Sequence, residues 1–129
     1  MNAQEFFKHK LKFETDSWDL YVALNESRNL VAIDARSAES YEREHIPGAV
    51  SFPHRTINET SVQSLDRDTL YVSYCDGIGC NASTKGAMKL TALGFQAKEL
   101  LGGLDWWKRD GYATAGTQAQ EGRKLECGC

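Results

Sequence analysis

Six residues with a strong preference for extended backbone, Thr69-Leu70-Tyr71-Val72-Ser73-Tyr74, run directly into Cys75. The next stretch, Asp76-Gly77-Ile78-Gly79-Cys80, is too rich in glycine to continue a strand. Asn81, Ser83 and Thr84 are residues of the kind that open helices. Ala82, Gly86, Leu90 and Leu93 then share one helical face, Lys85 and Lys89 mark the exposed one, and Gly94 stands where a helix stop belongs. A strand that passes through a short loop into a helix cannot return as a hairpin. It predicts a crossover and a neighbouring parallel strand.

The rest of the chain repeats that alternation. Leu30-Val31-Ala32-Ile33 reads as a buried strand ending at Asp34, and a polar helix begins at Ser37 and ends near His45. Ala49-Val50-Ser51-Phe52 is a short strand between Pro47 and Pro53, and Phe95 to Leu100 is another. Leu104 to Arg109 forms a short helix carrying Trp106 and Trp107. Upstream, Phe6, Phe7 and Leu11 give residues 3–12 an amphipathic helical pattern, and Asp16-Ser17 caps a second helix ending near Arg28-Asn29. Strands alternating with helices imply an α/β fold with a mostly parallel sheet. The expected organisation is a helical extension over 1–29 packed on a domain over 30–113, followed by a polar tail over 114–129.

Composition narrows the function classes. A chain of 129 residues that is 41% hydrophobic and 26% charged suits one domain with its own core. A net charge of -3 disfavours a protein held on nucleic acid by phosphate contacts. No apolar run reaches the ~18 residues of a membrane span, and Met1 to Lys12 lacks a secretory h-region. The expectation is a cytoplasmic chain with no nucleic-acid and no membrane partner, in which thiols stay reduced unless used.

In parallel α/β sheets reactive groups lie at the carboxyl ends of strands, and Cys75 falls at such an end. A free cysteine is mostly protonated at neutral pH, so a nucleophilic one needs stabilisation. The glycines at 77 and 79 allow loop N–H groups to turn inward as an anion nest, and the following helix adds its positive end. Asp76, Gly77, Ile78, Gly79 and Cys80 are therefore candidates for an amide cradle around Cys75. On residue type alone, a buried inert thiol is the competing reading.

Three segments resemble the single-domain rhodaneses. The first is Ile33-Asp34-Ala35-Arg36, with Tyr41 and His45-Ile46-Pro47-Gly48-Ala49-Val50-Ser51-Phe52-Pro53. The second is Val72-Ser73-Tyr74-Cys75 with its loop and the helix to Gly94-Phe95. The third is Leu101-Gly102-Gly103 with Trp107 and Gly111-Tyr112. The resemblance spans 30–113 and implies a five-stranded parallel sheet with helices on both faces. It also implies a cofactor-free sulfurtransferase in which Cys75 takes a sulfane sulfur from thiosulfate, a polysulfide or a small persulfide. That sulfur then passes to a thiol or cyanide, or to an acceptor protein. The loop departs from the family in having no basic residue, with Cys80 where arginine is common, so thiosulfate is not expected to be the best donor. Asn81 stands where related phosphatases need arginine, which argues against phosphatase chemistry.

The remaining cysteines stay open. Cys80 reads as an inert thiol, as a thiol that resolves Cys75 by forming a disulfide, or as a metal ligand. Cys127 and Cys129 read as incidental, as relay thiols reaching back to Cys75, or as part of a four-thiolate zinc site whose spacing is unlike the usual one. No metal is expected. The alternative to an enzyme is a binding or redox-sensing module built on the Cys75/Cys80 pair. Asp34, Arg36, Arg43 and His45 are expected to be structural, with Trp107 packed inward and Trp106 at the pocket rim.

Overall fold

The structure, a computed structural model, describes residues 1–122. The elements in chain order are α1 (Ala3–Phe13), β1 (Glu14–Thr15), α2 (Ser17–Asn25), β2 (Leu30–Asp34), α3 (Ala38–Arg43) and β3 (Val50–Ser51). A 3-10 turn over His54–Thr56 follows, then β4 (Leu70–Tyr74), α4 (Ala82–Ala92), β5 (Gln96–Leu100) and α5 (Gly103–Arg109). The strands form one sheet in the order β1-β5-β4-β2-β3, and every adjacent pair is parallel. This is the expected five-stranded α/β architecture. Four strands match the sequence reading to within two residues at each end. The fifth, β1, has only two residues, too few for any alternation to register. It pairs Glu14 with Glu99 and Thr15 with Leu100.

The sheet is buried on both sides because successive side chains of β4 leave on opposite faces. Val72 and Tyr74 join Leu20 of α2, Ile46, and Leu104 and Trp107 of α5 in one core. Tyr71 joins Ile33, Ile57, Leu90 of α4 and Phe95 in the other. The continuous rather than alternating apolar character of β2 follows from the same two-sided burial. Ser73 lies on the α4 side, where Gly86 lets the helix approach closely: a Cβ on Gly86 would come 2.8 Å from the Ser73 hydroxyl.

Local chemistry sets the helix ends. Asp16 accepts a hydrogen bond from the Asp19 N–H at 2.8 Å and starts α2, and Ser37 does the same for α3 with the Ser40 N–H at 3.2 Å. Gly94 takes φ +92, the left-handed turn that stops a helix.

The two ends of the described chain pack in different ways. α2 contributes Leu20 and Ala23 to the interior, whereas α1 buries none of its residues. The polar stretch after Tyr112 folds back: His45 and Ala115 exchange backbone hydrogen bonds at 2.9 Å, and Thr114 is buried. Its Thr114 side chain bonds Glu44 just past α3 and its Gln120 side chain bonds the Lys108 carbonyl of α5, a role that composition cannot distinguish from solvation.

Candidate active site

Cys75 leaves the carboxyl end of the central strand β4 and is 1% exposed. The loop after it is fixed from the side by α5. The Leu104 N–H donates to the Cys75 carbonyl at 2.9 Å, and the Asp105 N–H donates to the Asp76 carbonyl at 2.7 Å. Gly103 makes this approach possible. It takes φ +57, and a Cβ there would sit 2.4 Å from the Cys75 carbonyl oxygen. Within the loop the Cys80 N–H donates to the Gly77 carbonyl at 3.2 Å. Among the described residues, the N–H groups of Asp76, Gly77, Ile78 and Gly79 have no backbone acceptor. These are the donors that an anion cradle requires.

A buried charge network supports the loop from the β2 side. Asp34 is fully buried at the end of β2 and receives two guanidinium hydrogen bonds from Arg36, at 2.7 and 3.0 Å. The Tyr74 hydroxyl donates to the same carboxylate at 2.9 Å and accepts from the Ile46 N–H at 3.1 Å. Burial and the nearby Asp34 charge push the Tyr74 phenol well above its ordinary value, so it remains a donor. Arg36 also donates to Asp76 at 2.9 Å and to the Glu44 carbonyl at 2.5 Å. Burial alone would lower Arg36, but its bonds to Asp34 and Asp76 outweigh that and hold it charged. The loop's one acidic residue is thus tied to a cation.

A pocket of about 390 Å³ opens over this floor, lined by Cys75, Cys80, Arg36, Ser37, His54 and Arg55 among others. A larger groove, about 860 Å³, lies beside Phe7, Trp18, Leu30 and Leu70. That groove is lined by α1, α2 and neighbouring strand residues and shares no lining residue with the pocket over the thiols. The smaller pocket is the chemical one.

Cys75 and Cys80 are joined by a disulfide, with Cα atoms 6.2 Å apart. Of the open readings of Cys80, the structure displays the pair in its bonded form. Cys127 and Cys129 lie outside the described residues. Among the described residues, no three His, Cys, Asp or Glu side chains gather to hold a metal ion.

Several side chains are placed as the sequence suggests. Asp34 and Arg36 pair, and His45 bonds the Tyr41 carbonyl through Nδ1 at 2.6 Å and stacks on its ring. Trp107 is buried and donates to the Ala113 carbonyl. Trp106, expected at the pocket rim, instead lies 46% exposed with Arg109 over its ring, because α5 presents that face to solvent. Lys89 is not a solvated cation: it donates to the His54 carbonyl at 2.7 Å and pins the 54–56 turn. The pocket residues that sequence reasoning misses are His54 and Arg55. They sit 21 and 20 residues before Cys75, in a stretch whose pattern is too loose to place. Burial and the charges of Lys89, Lys85 and Arg55 lower the His54 pKa below 6.5 and favour its neutral form.

A family model described as "Rhodanese-like domain" matches residues 17–110. A thiosulfate sulfurtransferase, GlpE, from Coxiella burnetii is 32% identical over 95 residues, covering 72% of this chain and 81% of that protein. Among solved structures, the BH2092 protein from Bacillus halodurans superposes with a TM-score of 0.85 at 37% identity, covering 92% of this chain and 89% of its own. A Lactobacillus plantarum protein superposes with a TM-score of 0.72 at 26% identity, covering 84% and 94%.

Proposed function

The chain belongs to the rhodanese-like domain family, and from that premise we propose that it is a sulfurtransferase whose sulfur carrier is Cys75. The observation that carries this reading is the position of Cys75 at the carboxyl end of β4, on the floor of a pocket walled by Arg36 and Arg55. The 32%-identical GlpE protein, named a thiosulfate sulfurtransferase, supports the activity class.

The cycle starts once two thiol equivalents, or one dithiol, have reduced the Cys75–Cys80 disulfide to free thiols and left as a disulfide. The Cys75 thiolate attacks the sulfane sulfur of the donor, and the donor's own bond to that sulfur breaks. Sulfite from thiosulfate, or a thiolate from a persulfide, leaves with the electron pair. Cys75 now carries a persulfide, whose charge the unpaired loop N–H groups and the start of α4 stabilise. An acceptor thiolate or cyanide attacks the outer sulfur, and Cys75 departs as thiolate. This is two-step covalent transfer. No cofactor enters it.

The charge balance of the pocket bears on the donor. Asp34 and Asp76 share one cation, Arg36, which leaves that corner one negative charge in excess. Among the described residues lining the pocket, Arg55 is the cation left to offset it. A small persulfide, which brings a single negative charge at its reacting end, therefore suits the site better than a dianion such as thiosulfate, which depends on Arg55. A steady-state assay of the reduced protein with thiosulfate and with glutathione persulfide tests the reading. The expected result is turnover that is faster with the persulfide and lost in Cys75→Ser; turnover surviving in Cys75→Ser sinks it. The disulfide favours one second reading, a redox-sensing module. Absence of turnover with either donor, together with a reversible Cys75–Cys80 bond, would select it.

A further inference from the structure

Sulfur transfer through Cys75 leaves Cys80 without a task, although both line one pocket and their sulfur atoms are bonded. The bond runs to Cys75 Sγ itself. When Cys75 carries a persulfide, that atom is the inner sulfur, so Cys80 reaches the inner rather than the outer position. The five-residue separation brings the Cα atoms to 6.2 Å, inside the usual disulfide span. Holding the attacking thiol on the same short loop makes the step intramolecular, at a high effective concentration relative to any free acceptor.

We propose that Cys80 gives the protein a second activity: reductive release of sulfide from sulfane donors, driven by a dithiol. The proposal rests on the reading of Cys75 as a persulfide carrier. The Cys80 thiolate attacks Cys75 Sγ, and the Cys75–Cys80 bond forms as the bond to the outer sulfur breaks. The outer sulfur leaves as hydrosulfide with the bonding pair and takes up the proton that Cys80 has lost. The sulfane sulfur is reduced to sulfide, and the two cysteine thiols are oxidised to the disulfide. An external dithiol then attacks that disulfide, is itself oxidised to a cyclic disulfide and restores both thiols. With thiosulfate the sum is one thiosulfate and one dithiol giving sulfite, hydrogen sulfide and one oxidised dithiol. The bonded pair in the structure is the product of the release step. Its opening commits the protein to a thiol-rich environment for continued turnover.

The same step sets a competition. An acceptor that attacks the outer sulfur before Cys80 closes receives the sulfur. A slower acceptor loses it as sulfide. The reduced protein thus partitions sulfur between transfer and release according to the acceptor at hand.

A single-turnover experiment tests this. Full-length protein is reduced, freed of reductant and mixed with an equimolar amount of glutathione persulfide. Free sulfide and the protein mass are then read together. The expected result is about one sulfide per chain with a Cys75–Cys80 bond found by peptide mapping. In Cys80→Ser, and in Cys80→Ala as a second variant, one added sulfur atom stays on the Cys75 peptide and sulfide release is lost. A native chain that keeps the added sulfur and releases no sulfide overturns the proposal but leaves Cys75 as carrier. So does a sulfide burst unchanged in the Cys80 variants, or a bond mapped to Cys127 or Cys129. If the Cys80 variants fold and take up no sulfur at all, the carrier reading itself fails, and the release step with it.

Discussion

Arg36 and Arg55 face the same pocket but hold different partners. Arg36 is spent on Asp34, Asp76 and the Glu44 carbonyl. Arg55 is exposed and, among the described residues, has no ion pair. Removing one member of a buried ion pair strands the other, at a cost of about 3–5 kcal/mol. Arg36→Ala is therefore expected to lower stability by that amount in urea unfolding, since among the described residues Asp34 has no other cation. Arg55→Ala should leave the urea midpoint nearly unchanged. It removes a charge-assisted contact to an anionic donor, worth ~1.5 kcal/mol at the low end for an exposed group. That corresponds to about a tenfold fall in kcat/KM for thiosulfate, with a smaller fall for a singly charged persulfide. Equal losses for both donors would remove Arg55 from donor binding. The D-x-R pair was readable because its residues are two apart; the place of Arg55 depends on how the 54–65 stretch folds over the strand ends, which no local pattern encodes.

Among the elements, burial separates two helices of equal length. α4 packs Leu90, fully buried, against the sheet, whereas α1 leaves Phe6, Phe7 and Leu11 at 52%, 58% and 80% exposure. Leu90→Ala is expected to cost about 2–5 kcal/mol. Phe6→Ala and Leu11→Ala should each fall within about 0.5 kcal/mol of the parent in the same melts. A large loss from either α1 variant would mean that the helix is held by contacts other than those described. The unit from β4 through the loop to α4 was legible because its signals are contiguous: a β-branched run, a glycine break, a capped amphipathic stretch. The support of that loop by α5 was not, because it depends on Gly103 meeting Cys75, 28 positions away. Gly103→Ala should push the loop off α5 and reduce sulfur uptake by Cys75 more than it lowers the melting temperature, measured on the same sample. A variant with unaltered uptake would show that the loop holds its shape without that contact.

Across the whole molecule, Glu44 fastens the returning chain to the domain that carries the site. Its carboxylate accepts from Lys108 of α5 at 2.7 Å and from the Thr114 hydroxyl at 2.6 Å. Thr114 in turn accepts from the Gln120 N–H at 2.8 Å, and Gln120 donates to the Tyr112 carbonyl at 3.0 Å. The strap after Tyr112 is thus tied to this carboxylate in addition to its backbone bonds to Glu42, Arg43 and His45. Burial by itself would raise the Glu44 pKa; the bonds from Lys108 and Thr114 outweigh it and hold the carboxyl below its ordinary value of 4.5. A depressed folded value means that the ionised form is the stabilising one. Its contribution is complete above about 4.5, the unfolded value, and is lost as pH falls through the lower folded value. Glu44→Gln is expected to lower stability by about 1 kcal/mol at neutral pH. The deficit should shrink as acid protonates the parent's carboxylate, so the two stability curves converge as pH falls below 4.5 and through the depressed folded value. Because Arg36 bonds the Glu44 carbonyl rather than its side chain, the variant keeps the link from α3 to the Asp34–Asp76 network. Stability curves that stay parallel across the acid range would mean that the strap is held by its backbone bonds to His45, with Glu44 contributing nothing through its charge.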